Sequence, residues 1–515
     1  MAEKISKVKA PITENELAAL LMLIALLFGA WLRLMPASLA GFPLNDGGMF
    51  YTMIRDLRQN GYALPAYTTY NQLQIPYAYP PLAFYLAGFL ADALRVSDLT
   101  VLLWLPAVVN LLTLPAFALL AGSMLESRLK TALATFFYAL MPLAMDWFLM
   151  GGGLTRGLGQ LFLLLTAWGA YRLFATHARK YLLTTILSGA LVVLCHPESA
   201  LLTVTTAAIL WLFSSRSRRT IFDALLVGAG VVLLCAPWLF YVLRLHGPEP
   251  FLKSLQTSGN SMFLWLSIFP FNFTQETGLA LLAALGLIGL FFKLGKKEYL
   301  LPAWVVIPFF INPRSSARAA IIPLAMLAAI SLLEVILPAL QGPPDPQKPS
   351  RGLAGKLFAG YILVYLLLNG YGLDLRMTDN RLSEADQQAM AWIRQNTPAD
   401  SQFIVLTSEN QMMRDPIQEW FPALTERNSQ TTLQGREWLW GEKFIQAIGT
   451  YPGLKTCLGQ DLSCLDEQTR KLGLSYDTLY LQKENARGLL NSLKQTAAER
   501  IIYENEAVIL FTTRP

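Results

Sequence analysis

Apolar runs near the length of a bilayer crossing recur along this chain, and nothing else in the sequence restricts its fold as much. In hydrocarbon every backbone N–H and C=O must be satisfied internally, which leaves helices of about 20 residues as the natural spanning unit. The runs lie near 17–36, 99–121, 131–148, 157–175, 181–195, 198–213, 222–243, 277–293, 299–311, 318–338 and 356–375. Composition agrees. The 515 residues are 54% hydrophobic and only 15% charged, with mean hydropathy +0.40, whereas soluble domains carry about 25% charge. The chain reads as a polytopic α-helical membrane protein of about eleven spans, far more than an anchor for a receptor domain needs.

Loop charges orient it. Arg128/Lys130, Arg172/Arg179/Lys180, Arg216/Arg218/Arg219, Lys293/Lys296/Lys297 and Lys348/Arg351/Lys356 fall in alternate loops, and the positive-inside rule puts that set in the cytoplasm. Lys4, Lys7 and Lys9 precede the first run, placing the N-terminus on the same side. That run is long for a signal peptide, although Ala37-Ser38-Leu39-Ala40 weakly resembles a cleavage site, so a retained first helix is expected. The apolar stretch from Pro80 to Arg95 would invert every later loop if it spanned; it reads as a helix lying in the outer interface. The expected setting is the plasma membrane, with outer segments at about 37–98, 146–156, 195–198, 244–275 and 311–318 and an extracytoplasmic tail. The net charge of +6 belongs mainly to the cytoplasmic loops and calls for no nucleic acid.

From Arg376 onward the composition changes to 15 Lys+Arg and 18 Asp+Glu. Two domains are therefore expected, a membrane domain over 1–375 and a soluble α/β domain over 376–515. In the tail, Ser383 to Gln395 has helical periodicity with a capping-box start, and Phe403–Leu406, Thr478–Leu481 and Ala507–Phe511 read as strands. Cys457 and Cys464 sit seven residues apart in a compartment that favours a disulfide over a zinc pair, the tail having no His. Cys195 and Cys235 read as packing residues within spans.

Leu44-Asn45-Asp46-Gly47-Gly48-Met49-Phe50-Tyr51 follows the first run and puts a carboxylate at the membrane edge, where an ionisable group is a functional candidate by default. This stretch, with Ile54-Arg55 after it, resembles the acidic motif in the first outer loop of the GT-C superfamily of membrane glycosyltransferases, which includes protein O-mannosyltransferases and aminoarabinose transferases. Tyr79-Pro80-Pro81-Leu82 resembles the superfamily's proline pair before an interfacial helix. Pro313-Arg314 with Arg318 and Pro323 resembles its basic segment before a late span. The resemblance implies a GT-C-like membrane domain, a sugar donor carried on a polyprenyl phosphate, and a glycan, lipid or protein acceptor outside the cytoplasm. The second acid that often follows the lead Asp is Gly47 here, and no Asp-x-Asp motif occurs. No cofactor is therefore expected, and a divalent metal is not favoured.

Such a transfer needs a base for the acceptor hydroxyl and cations for the leaving phosphate. Asp46 is the expected base; the competing role is a helix cap for the segment after it. Asp146 is the second acid, or a solvated residue beside the interfacial Trp147. Arg314 and Arg318 are expected on one helical face toward phosphate, or snorkelling to headgroups. Arg55 and Arg156 are further phosphate candidates; Arg55 has Asp56 beside it, and Arg156 could simply bound its span. Tyr51, His196, Glu198 and Lys253 are candidate substrate contacts, with a polar turn as the plainer role for His196 and Glu198, and solvent for Lys253. Trp420, Trp438 and Trp440, beside Glu419 and Glu437, read as tail core or as an aromatic platform for sugar.

The function expected is transfer of a hexose or pentose from the lipid-linked donor by inverting displacement. A polymerase or ligase using a lipid diphosphate is the alternative enzyme, resting on a His or an Arg pair. A transporter or flippase is the non-enzymatic alternative, although no internal repeat is visible.

Overall fold

Thr13 starts the described chain with a reciprocal capping box. Its hydroxyl accepts from the Glu16 amide at 3.3 Å, and Glu16 accepts from the Thr13 amide at 2.8 Å. The computed structural model describes residues 13–214, 217–257, 279–341, 351–409 and 414–513. Helix α1 (Glu14–Ala40) ends at Gly41 in the left-handed region. The first loop then folds as α2 (Gly48–Gln59), a two-residue antiparallel ribbon of β1 (Tyr67–Thr68) and β2 (Ile75–Pro76), and α3 (Leu82–Leu94). Next come α4 (Asp98–Met124), α5 (Arg128–Leu140), the single turn α6 (Asp146–Leu149), α7 (Gly153–Thr176), α8 (Arg179–Val193) and α9 (Pro197–Leu212). Then follow α10 (Arg218–His246), α11 (Glu249–Gln256), α12 (Leu279–Gly295), α13 (Leu300–Ile311), α14 (Pro313–Ser331), α15 (Leu337–Gln341) and α16 (Arg351–Asp379), with a π-helical stretch over Leu332–Ile336 joining α14 to α15.

Helices occupy each of the expected apolar stretches. Among the described residues, six are long and apolar enough to cross a membrane: α1, α4, α7, α10, the α14–α15 unit and α16. A seventh crossing arises if α5 and the 142–149 segment count as one, although they meet at 81°. The span expected over 131–148 is therefore broken near its middle. Pro142 offers no N–H, and the Asn110 amide instead donates to the Ala144 carbonyl at 2.9 Å. Buried Arg33 ties three helices together at depth, donating to Gly29 at 3.1 Å, to the Asn110 carbonyl at 3.2 Å and to the Ala139 carbonyl at 2.8 Å.

The two ends of the helix bundle differ. At one end, Glu334 pairs with both Lys130 and Lys296, at 3.3 Å for Lys296, and His177 Nδ1 meets Asp223 at 2.6 Å. Lys130, Lys296 and His177 belong to the loops expected to be cytoplasmic, and Asp223 and Glu334 lie near the adjoining ends of expected spans. The other end carries the start of α7, of α9 and of α14.

The tail contains α17 (Glu384–Asn396), α18 (Pro416–Thr425), α19 (Glu437–Trp440), α20 (Glu442–Thr450), α21 (Leu462–Lys471) and α22 (Arg487–Thr496). Its strands are β3 (Gln402–Leu406), β4 (Asn428–Ser429), β5 (Thr478–Gln482), β6 (Ile501–Glu504) and β7 (Val508–Thr512). Among the described residues these five form one sheet in the order β4-β3-β5-β7-β6, parallel on the β4-β3-β5 side and antiparallel on the other. Strand alternation sorts the sheet's two faces. Ile404 and Leu406 pack toward α21 and α22, where Cys457 and Cys464 are disulfide-bonded. Phe403 and Val405 pack on the opposite face with Trp420 and Phe421, and this core continues into Met49, Phe50, Ile54 and Leu57 of α2. The first loop and the tail therefore bury one shared apolar core.

Candidate functional site

The loop from α1 to α2 is anchored before its acid is placed. Asn45 lies in the left-handed region at φ 50°. Its amide donates to the Asn380 carbonyl at 2.8 Å, and its own carbonyl accepts from Trp420 Nε1 at 3.0 Å. The Gly151 amide donates to the Leu44 carbonyl at 2.9 Å. These contacts aim Asp46 at the start of α7. Asp46 Oδ1 accepts from the Gly152 amide at 2.8 Å, and Oδ2 pairs with Arg156 Nη2 at 2.7 Å. A Cβ on Gly151 would lie 2.0 Å from the Asp46 carbonyl oxygen, and one on Gly152 would lie 2.4 Å from Oδ2. The glycines of 151–153 are therefore required by close approach.

Asp46 does not cap α2, the alternative the sequence left open. Glu419 from the tail does so: its Oε1 accepts from the amides of Gly47 at 3.2 Å and Met49 at 3.3 Å. Tyr70 donates to the Glu419 carbonyl at 2.7 Å. Burial, and then the nearby Asp46 charge, push the Glu419 carboxyl well above the usual range, while the two amides oppose the shift. No local sequence signal marks Glu419 as a cap, because its partners are about 370 residues away.

A second group meets at the starts of α9 and α14. Glu198 accepts from Ser315 Oγ at 2.5 Å and faces Arg318 at 3.5 Å and Arg314 at 3.8 Å. The two groups communicate electrostatically. Arg156 interacts with both Asp46 and Glu198, and Asp146 is surrounded by the charges of Arg414, Arg318, Arg156 and Asp46. Trp147 lies under two guanidinium groups, Arg156 at 5.1 Å and Arg414 at 5.2 Å. Arg414 escaped sequence reasoning, having no motif around it.

Asp46, Asp146, Arg156, His196, Glu198, Arg314 and Arg318 thus converge from five separate segments. His196 does so in the plainer role: Nδ1 accepts from the Ser199 amide at 3.1 Å and caps α9. Other candidates are bound elsewhere. Arg55 pairs with Glu426 at 2.5 Å rather than with the neighbouring Asp56, whose carboxylate is taken by Thr68 and Thr69. Lys253 pairs with Glu249 at 2.7 Å. Tyr51 packs beside Trp420, with Arg55 over its ring at 5.9 Å. The tryptophans form no open sugar platform: Trp420 and Trp438 are core residues, and Trp440 is covered by Arg436 at 4.5 Å.

A small cavity of about 10 Å³, enough for about one water, lies beside Asp46, lined by Asn45, Asp415, Gln418, Glu419, Thr432, Leu433 and Gln434. Burial pushes Asp415 up to about 6, with the Thr407 hydroxyl pulling the other way. Hydroxyl, amide and carboxyl groups line this cavity, with the Asp46 carboxylate of the converging cluster at its edge.

No protein-family model matches the sequence, and no curated protein matches it significantly. Solved structures do. The oligosaccharyltransferase AglB of Archaeoglobus fulgidus, in complex with an inhibitory peptide and a dolichol-phosphate, matches over 90% of this chain and 69% of its own, at TM-score 0.55 and 14% identity. ArnT of Cupriavidus metallidurans, bound to undecaprenyl phosphate, matches over 96% of this chain and 97% of its own, at TM-score 0.52 and 15% identity. The mycobacterial arabinofuranosyltransferase AftD matches over 98% of this chain and 40% of its own, at TM-score 0.56 and 15% identity. All are GT-C superfamily membrane glycosyltransferases, and the chain has a GT-C-like, multi-pass helical fold.

Proposed function

We propose that this chain transfers a sugar from a polyprenyl-phosphate donor to an acceptor outside the cytoplasm. The observation that carries the reading is the union, at one end of a GT-C-like bundle, of the Asp46 carboxylate, paired with Arg156, with the charges of Arg314, Arg318 and Arg414. The dolichol-phosphate and undecaprenyl phosphate named with AglB and ArnT support a lipid phosphate as the ligand class.

In the proposed reaction the acceptor O–H gives its proton to Asp46 as its oxygen attacks the anomeric carbon. The bond from that carbon to the phosphate oxygen breaks, and the lipid phosphate departs carrying the electron pair. Arg314 and Arg318 take up the charge, with Arg156 behind them. Inversion follows from the single displacement. Gly152 and Arg156 fix the orientation of the carboxylate before the proton moves. The eleven-crossing topology, with a cytoplasmic N-terminus and an outer α/β domain after residue 375, belongs to this proposal.

The test is donor turnover. Protein in lipid is incubated with a panel of polyprenyl-phosphate sugars and a membrane acceptor extract, and sugar loss is followed by mass spectrometry. Turnover of one donor in wild type, lost in Asp46→Asn, is the expected outcome. Equal turnover in both proteins removes Asp46 as the base. Turnover of lipid diphosphate sugars alone favours the polymerase or ligase reading.

A further inference from the structure

Glu419 is a buried acid that the proposed transfer leaves unused, and it stands against the base. Helix α18 and the start of α2 touch: a Cβ on Gly48 would lie 2.3 Å from the Glu419 carbonyl oxygen. The next residue, Trp420, donates from Nε1 to the Asn45 carbonyl at 3.0 Å. Glu419 Oε1 accepts the amides of Gly47 and Met49 at 3.2 and 3.3 Å. Among the described residues no donor reaches Oε2. The Asp46 and Glu419 carboxyls line one cavity of about 10 Å³, room for about one water, whose walls also include Asn45, Gln418 and Thr432.

The two acids differ in their partners. Asp46 has the Arg156 guanidinium at 2.7 Å and the Gly152 amide at 2.8 Å. Glu419 has no cation beside it among the described residues. The groups facing it are Asp46 from the first loop, Tyr70 between the ribbon strands, Asp415 one turn earlier at the start of α18, and Glu437 on α19. Two carboxylates against one small buried space repel, so the charge stays on the acid with the arginine and the proton on the acid without one. The upward displacement of the Glu419 carboxyl agrees with that division. Asp415, the third acid of the cavity, has both oxygens in use, one on the Ile417 amide at 3.0 Å and one on the Thr407 hydroxyl.

We propose that Glu419 is a positioning residue for Asp46: its protonated carboxyl donates to one water held in the shared cavity, and that water donates to the Asp46 carboxylate. The space and its polar walls select water as the occupant. The pair then carries a single negative charge, and Asp46 is its one member free to take a proton. Ionising Glu419 sets a second negative charge beside the base and the donor phosphate, which repels both. The consequence for turnover rests on the reading of Asp46 as the base; the carboxyl pair itself does not.

The experiment compares wild type, Glu419→Gln and Asp46→Asn, all full length in nanodiscs. Gln keeps an oxygen for the two amides and an N–H for the water, so the fold of α2 is preserved. Infrared spectra follow the C=O band of protonated carboxyl groups as pH is raised through neutrality, and the difference against Glu419→Gln isolates the Glu419 band. Wild type keeps that band at neutral pH. In Asp46→Asn its midpoint falls by about one pH unit, because the neighbouring charge is gone. A density map that resolves waters shows one peak within hydrogen-bond reach of both carboxyls. Absence of the band at neutral pH, an unmoved midpoint in Asp46→Asn, or a dry cavity each overturns the inference. None of these readouts uses a donor, so they separate its failure from failure of the transferase reading. Where a donor is turned over, wild-type kcat declines on the alkaline side and Glu419→Gln removes the decline. The same alkaline profile in both proteins overturns the role of Glu419 toward the base.

Discussion

Single side chains carry the sharpest expectations. Asp46→Asn keeps the shape and the Gly152 contact but removes the base, so turnover falls by about 10²–10⁴-fold while donor affinity is retained, measured by single-turnover assay and lipid binding. Glu419 holds the Asp46 loop through two amides and separates into two variants. Glu419→Gln retains a carbonyl acceptor and leaves stability near wild type. Glu419→Ala frees both amides in a buried setting, costs about 1–3 kcal/mol, and lowers Tm. Glu437 gives a pH prediction. Burial holds it up to about 7, against an ordinary value of 4.5, so between those values the unfolded chain loses a proton that the folded chain keeps. Its contribution to stability is therefore largest below pH 4.5 and falls as pH rises toward 7; Glu437→Gln removes this part of the slope, as read from Tm at pH 5 and pH 7.5.

At the scale of elements, legibility depended on whether the partners were local. The helix after Ser383 and the strands at 402–406, 478–482 and 508–512 were readable because capping and alternation are properties of neighbouring residues. The break at Pro142 was not read, since a long apolar run hides a proline that a buried Asn110 compensates from another helix. The glycine run before α7 likewise made sense only with Asp46 against it. Its two members make different predictions. Gly152→Ala meets the flexible end of the Asp46 side chain, so turnover drops more than tenfold with little change in Tm. Gly151→Ala meets the Asp46 backbone at 2.0 Å, so the loop itself must move and Tm falls as well. Thermal melts beside turnover separate the two.

Over the whole molecule, the basic end and the carboxylate–arginine end sit at opposite ends of the same helices, α7 and α14. If the positive-inside reading is right, a cysteine at Glu14 is labelled only after the membrane is permeabilised, and one at Lys443 is labelled in intact cells by an impermeant thiol reagent. The reverse pattern would invert the topology and move the site to the cytoplasmic face. The sequence by itself determined that the chain is a multi-span helical membrane protein with a differently composed tail, because hydropathy and charge are summed over stretches and need no partner. It also marked Asp46, Asp146, Arg156, Glu198, Arg314 and Arg318 as polar groups at the ends of apolar runs. Only the tertiary structure decided that these six meet, that Arg55 and Lys253 are engaged elsewhere, and that Glu419 reaches the site from the tail. Apart from the Lys253–Glu249 pair, one helical turn apart, those choices depend on contacts between residues tens to hundreds of positions apart. Such contacts are set by how the bundle and the shared core of Trp420 and α2 pack, and no local pattern encodes them.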